Sequence, residues 1–118
     1  MKLVTNDELT ADRTSQGEGQ TGLDLVWLQG PYSNDELDVG VAHVQPGAST
    51  PPHVHHKGQI IVTVEGQGFV ETASGERIET SVGDVVICPA GEAHTHGSAG
   101  DVRWAHLTIT TGTHGVGE

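Results

Sequence analysis

Gly47-Ala-Ser-Thr-Pro-Pro-His53-Val-His55-His56-Lys57-Gly58-Gln59-Ile60-Ile61-Val62-Thr63-Val64-Glu65-Gly66 decides how this chain is read. His53 and His55 are two apart, so on a strand both imidazoles leave the same face. His56, Lys57 and Gly58 can bend the chain and return the next strand to that face, which brings Gln59 beside them. Two imidazoles and a carbonyl oxygen make half of a metal site. The other half lies in Gly83-Asp-Val-Val-Ile-Cys88-Pro89-Ala-Gly91-Glu-Ala-His94-Thr-His96-Gly-Ser98, which offers His94 on a second short strand after the Pro89-Ala90-Gly91 turn.

Together these stretches resemble the two motifs of the cupin superfamily. The first, G-x5-H-x-H-x3-(E/Q)-x6-G, fits at every spacing from Gly47 to Gly66. The second, G-x5-P-x-G-x2-H-x3-N, fits from Gly83 through Pro89, Gly91 and His94, with Ser98 where the pattern has Asn. The resemblance implies an all-β fold, the cupin double-stranded β-helix or jelly-roll barrel, in a single domain. On this reading residues 1–22 are an N-terminal arm, 23–111 the barrel and 112–118 a flexible C-terminal tail.

Composition agrees with one all-β domain. The chain has 118 residues, 17 of them glycine, and many Val, Ile and Thr alternate with glycine-containing turns. Its net charge of −11 repels phosphate backbones, so nucleic acid is not an expected partner. The one cysteine, Cys88, allows no internal disulfide and reads as a small packed hydrophobe. There is no apolar leader and no apolar run long enough to span a bilayer. A cytoplasmic protein without membrane contact is the expectation.

The strand pattern can be followed along the chain. Lys2–Val4 can form an edge strand, which in cupins often crosses to a partner subunit. Asn6–Leu9 can make a helical turn capped by Thr5 or Asn6, and 11–22 reads as a loop. Strands are expected at Leu23–Gln29, Asp38–Gln45, His53–His55, Gln59–Glu65, Phe69–Thr72, Glu76–Ser81, Val85–Cys88, His94–His96 and Val102–Thr110. Gly66-Gln67-Gly68 reads as a tight turn, and Val85–Cys88 as a buried strand. Gln59–Glu65 is apolar on both faces, so burial on both is expected. A small barrel covers only the inner face. The outer one then needs another subunit or the N-terminal strand, and a homodimer, or a larger homo-oligomer, is expected.

Eight histidines need sorting. His53, His55, Gln59 and His94 are the candidate metal ligands. All four are neutral donors, so the charge of a divalent cation stays uncompensated and its Lewis acidity high. Imidazole and amide oxygen suit Mn, Fe, Co, Ni or Zn. His96, two after His94, faces the same interior and is a candidate acid/base. His106 shares the inward face that cupin barrels give to alternate residues of the last strand, as does Trp104. It reads equally as a second catalytic group or as a core histidine. His56 points away from the ligands, His43 reads as structural and His114 as a solvated tail residue.

The ligand order His-x-His-x3-Gln with a later His, the phrase Gly58-Gln-Ile-Ile-Val-Thr63, the string His94-Thr-His-Gly97 and His106-Leu-Thr-Ile109 are similar to the small bacterial manganese cupins that include the cupin hydroxynitrile lyases. That resemblance implies Mn(II) on His53, His55, Gln59 and His94, a cyanohydrin or similar small-molecule substrate, His96 as base and His106 beside the leaving cyanide. It also places Gly40, Ala42 and Thr110 along the substrate pocket, with Trp104. Two other functions fit the same motifs. One is a manganese- or iron-dependent dioxygenase using two open metal positions. The other is a non-catalytic cupin that binds a small molecule.

Overall fold

Alternating β-branched residues, broken by glycine and proline, produce nine strands and one short helix among the described residues. The computed structural model describes residues 1–11, 22–32, 34–112 and 114–116, the last three as backbone. Most of the loop expected at 11–22, and the end of the tail, lie outside the described residues. The helix α1 is Asn6–Thr10, and the strands are β1 Leu23–Gln29, β2 Leu37–Val44, β3 His53–His55, β4 Gln59–Thr72, β5 Arg77–Ser81, β6 Val85–Cys88, β7 His94–Ser98, β8 Trp104–Thr111 and β9 His114–Val116.

Every ladder is antiparallel. The strands form one curled sheet in the order β1-β2-β8-β4-β7-β3-β9, with β5 and β6 also pairing with β4. The single long strand β4 joins the two halves. Its first part lies between β8 and β6, its second between β5 and β7. Inward residues of both halves meet in a core of Val44, Ile61, Val70, Val86, Cys88 and Trp104. The Trp104 indole N–H donates to Thr63 Oγ1 at 2.9 Å, and Thr63 meets Thr80 at 3.0 Å, so these three polar groups beside the core are paired.

The expected turn at Gly66–Gly68 is not there: β4 runs straight through it. A register shift between Thr63 and Glu65 bends the strand. Gly66 takes φ +72°, and a Cβ on it would strike the Arg103 carbonyl; a Cβ on Gly68 would stand within the Trp104 indole. These glycines serve close approach rather than chain reversal.

Further expectations need correcting. Val86 and Cys88 of β6 are buried but Val85 and Ile87 are exposed, so this strand is covered on one face only. The outer face of β4, for which another subunit or the N-terminal strand is the expected cover, is only partly covered within the described residues, with Ile60 exposed. Residues 2–4 join no ladder. Lys2 Nζ donates to the Leu28 carbonyl of β1 at 3.3 Å, before the chain turns into the Thr5 cap of α1. That cap is a capping box: Thr5 Oγ1 accepts from Glu8 N, and the Glu8 carboxylate accepts from Thr5 N. The C-terminal stretch read as a tail contains β9, whose backbone pairs with His53–His55.

Candidate metal centre

Strand register brings the histidines together. His53 on β3 lies directly opposite His94 on β7. His96 is two further along β7 and shares the His94 face. From the other half of the sheet, Gln59 lies beside Thr110, Ile61 beside Thr108 and Thr63 beside His106. The next strand puts Gly40 beside Thr108 and Ala42 beside His106. The inner faces of the two halves therefore look at each other across one polar end of the core.

His53, His94 and His96 are all buried, and each offers a ring nitrogen within 4.8 Å of the other two. His53 stands between the others, with ring centroids 4.5 Å from His94 and 4.8 Å from His96. His55 is half-buried beside them, its ring 5.1 Å from His53 and 5.8 Å from His94. Gln59 Oε1 is 2.9 Å from His94 Nε2. His96 Nε2 is 3.2 Å from His53 Nε2.

The hydrogen-bond partners on the far side of each ring identify what these atoms carry. His53 Nδ1 is 3.0 Å from the Pro51 carbonyl, and His94 Nδ1 is 3.0 Å from the Glu92 carbonyl. A carbonyl only accepts, so each Nδ1 bears the hydrogen and each Nε2 presents a bare lone pair. The Gln59 amide nitrogen donates to Thr108 Oγ1 at 2.6 Å, which turns its oxygen toward His94. Three acceptors thus converge in a buried space. That arrangement is repulsive among neutral atoms and attractive around a cation, so the donor set fits a divalent metal.

Burial also sets the charge states. It lowers the pKa of His53 below the ordinary value, against a smaller upward pull from its hydrogen bond to Pro51 and with a further push from His94. It lowers His96 well below the ordinary range, with His106, His53, His94 and His55 acting in the same direction. His106 falls to about 4, mainly through burial and against a weaker opposing pull from the Leu107 backbone. The Cys88 thiol rises to about 11, by burial and then by Glu92, and stays protonated. Among the described residues, His96 Nδ1 and both His106 nitrogens meet no hydrogen-bond partner of good geometry. The His106 ring is 5.1 Å from His96 and 4.3 Å from Trp104.

His53, Gln59, His94, His96, His106, Trp104 and Thr110 are buried on the inner faces. Gly40 and Ala42 share the inner face of β2, where a Cβ on Gly40 would meet Leu25 and Trp27. The side chain of His114 lies outside the described residues. Two residues were missed by sequence reasoning. Thr108, two after His106 on the same face of β8, reaches Gln59, and that alternation was the available signal. Trp27 joins Trp104 as an aromatic on the inner side; alternation along β1, once paired with β2, would have found it.

The sequence profile described as Cupin domain matches residues 40–110. A gentisate 1,2-dioxygenase from Ralstonia sp is 35% identical over 74 residues, covering 63% of this chain and 21% of that protein. The chain spans only about a fifth of the length of the curated gentisate dioxygenases it matches. Among solved structures, a cupin-like protein from Thermotoga maritima superposes with a TM-score of 0.71 at 30% identity, over 75% of this chain and 68% of that one. A polyketide cyclase from Streptomyces resistomycificus reaches a TM-score of 0.73 at 23% identity, over 97% and 81%. The last of these likenesses speaks to the fold alone.

Proposed function

The chain belongs to the cupin-domain family, and from that membership we propose a metal-dependent enzyme that cleaves or forms a C–C bond in a small hydroxyl compound, in the manner of a hydroxynitrile lyase. The observation that carries the reading is the convergence of proton-free His53 Nε2, His94 Nε2 and Gln59 Oε1 beside a neutral, buried His96. His53, His55, Gln59 and His94 would hold the cation. Mn(II) bound there would supply Lewis-acid charge that favours ionisation of the substrate hydroxyl.

The chain's own residues handle the proton and the leaving group. Burial keeps His96 neutral, and a neutral imidazole can accept the hydroxyl proton of a cyanohydrin. As that proton leaves, the carbonyl forms and the C–C bond breaks, its electron pair departing with cyanide. His106, also neutral and one ring away, holds the cyanide. The proton taken by His96 then passes to cyanide, hydrogen cyanide leaves, and both imidazoles return to neutrality. Gly40, Ala42, Trp104 and Thr110, with Trp27, bound the space available to the substrate.

A dioxygenase is the second reading, favoured by the curated relatives named for gentisate 1,2-dioxygenase. One experiment separates the two. The untagged protein is assayed for metal content, for cyanide release from mandelonitrile and for oxygen uptake with gentisate, alongside Gln59→Ala. Near-stoichiometric manganese with cyanide release that depends on Gln59 supports the lyase. Oxygen uptake without cyanide release replaces it with the dioxygenase. Bound metal with neither activity leaves a small-molecule-binding cupin.

A further inference from the structure

We propose that Thr108 is a positioning residue, whose hydroxyl holds the Gln59 amide with its oxygen rather than its nitrogen toward the three-histidine cluster. The proposal rests on the metal-site reading above. Gln59 and Thr108 are both buried and come from adjacent strands, β4 and β8. The Gln59 Nε2–Thr108 Oγ1 contact, at 2.6 Å, is among the shortest side-chain hydrogen bonds at the site.

An amide side chain can present either end, and its terminal torsion is broad and nearly two-fold. The competing orientation is a real alternative here. Turned over, the amide N–H would donate to the bare His94 Nε2 and so mask one ligand while withdrawing another. The oxygen-inward orientation needs an acceptor for the amide N–H on the far side, and Thr108 Oγ1 supplies it; the same hydroxyl can donate to the oxygen of a flipped amide, so a cation decides between the two and Thr108 keeps the oxygen-inward one free of a buried, unpartnered N–H. With a methyl in its place, the oxygen-inward orientation would bury an N–H without a partner, while the flipped one would keep that N–H satisfied at His94. Loss of one hydroxyl, remote from the cation itself, should therefore weaken metal binding through Gln59. Groups that orient a ligand without touching the metal typically matter by about 10- to 100-fold in affinity.

The test uses the full chain, stripped with a chelator and titrated calorimetrically with manganese(II), in wild type, Thr108→Val, Thr108→Ser and Gln59→Glu with and without Thr108→Val. The expected result is wild-type binding, a loss of about 10- to 100-fold in Thr108→Val and recovery in Thr108→Ser. In the Gln59→Glu background both ends of the side chain are oxygen, orientation no longer matters, and Thr108→Val should cost much less. An equal loss in both backgrounds, or none in either, overturns the positioning role while leaving the metal site standing. Absence of manganese binding in wild type overturns the metal-site reading itself, and this proposal with it.

Discussion

His53 Nε2 and His96 Nε2 stand 3.2 Å apart although 43 residues separate them in the chain. The antiparallel match of His53 with His94 sets that distance, because His96 is the next residue of β7 on the same face. The Pro51 carbonyl takes the His53 Nδ1 hydrogen, so His53 meets His96 as an acceptor. With no cation on His53, His96 Nε2–H can donate to it. That contact requires neutral rings, and burial keeps both rings neutral.

Removing metal should destabilise the fold. Without a cation, the facing lone pairs of His94 Nε2 and Gln59 Oε1 repel. A ligand at a hundred times its dissociation constant adds about 2.7 kcal/mol, or roughly 10 °C in a domain of this size. Differential scanning calorimetry with manganese and with chelator should show that shift in wild type. His94→Ala should lose most of it; an equal shift in His94→Ala would place the cation elsewhere.

Stability should fall in mild acid. The His106 pKa is lowered from 6.5 to about 4 in the folded chain, and His53 and His96 move the same way. Between those values the unfolded chain holds more protons than the folded one. The contribution is therefore fully present above about pH 6.5 and is lost as pH falls toward 4. For His106 alone the loss amounts to roughly 3 kcal/mol. Urea denaturation of the chelated protein from pH 7.5 to 4.5 should show the decline, and His106→Gln should reduce it. A flat wild-type profile would contradict burial of neutral imidazoles.

Gly68→Ala should be costly. The new methyl would enter the Trp104 ring, which packs on His106 and donates to Thr63. Overpacking at such a point costs about 3 kcal/mol or more. Gly75, at φ +96° in the β4–β5 turn with open space around it, should lose only about 1 kcal/mol as alanine. Chemical denaturation of the two variants compares them directly; equal losses would mean that the Trp104 ring gives way to the new methyl.

The outer face of β4 and β6 should pair with a second copy. We propose a two-fold dimer there, since Ile87 is 72% exposed, Val85 56% and Ile60 37%. Ile60 lies opposite Ile87, and Val62 opposite Val85, in the ladder. On a chain of net charge −11, this apolar strip is where two copies can approach with least repulsion, and a two-fold axis would set it against itself. Light scattering should give a dimer for wild type and a monomer for Ile87→Lys at similar thermal stability. A monomeric wild type at micromolar concentration ends the proposal.

The two motif stretches made most of the fold legible. Positive-φ turns at Gly47, Gly58, Gly83 and Gly91 bracket the metal-site strands, and alternation put His94 and His96 on one face. Gly66 and Gly68 misled because glycine permits a turn and a close contact equally, and only the Trp104 ring above Gly68 distinguishes them. β6 misled because an apolar run does not say whether its second face is covered by the same chain.

Sequence by itself determined which residues alternate inward, since strand periodicity is a local property of the backbone. It therefore named His53, His55, Gln59, His94, His96 and His106 as the groups to examine. Only tertiary structure decided which atoms face one another. The hydrogen bonds of His53 to Pro51, His94 to Glu92 and Gln59 to Thr108 choose the tautomers and the amide orientation. Those choices depend on turn geometry and on the register between β4 and β8, where residues distant in the chain meet.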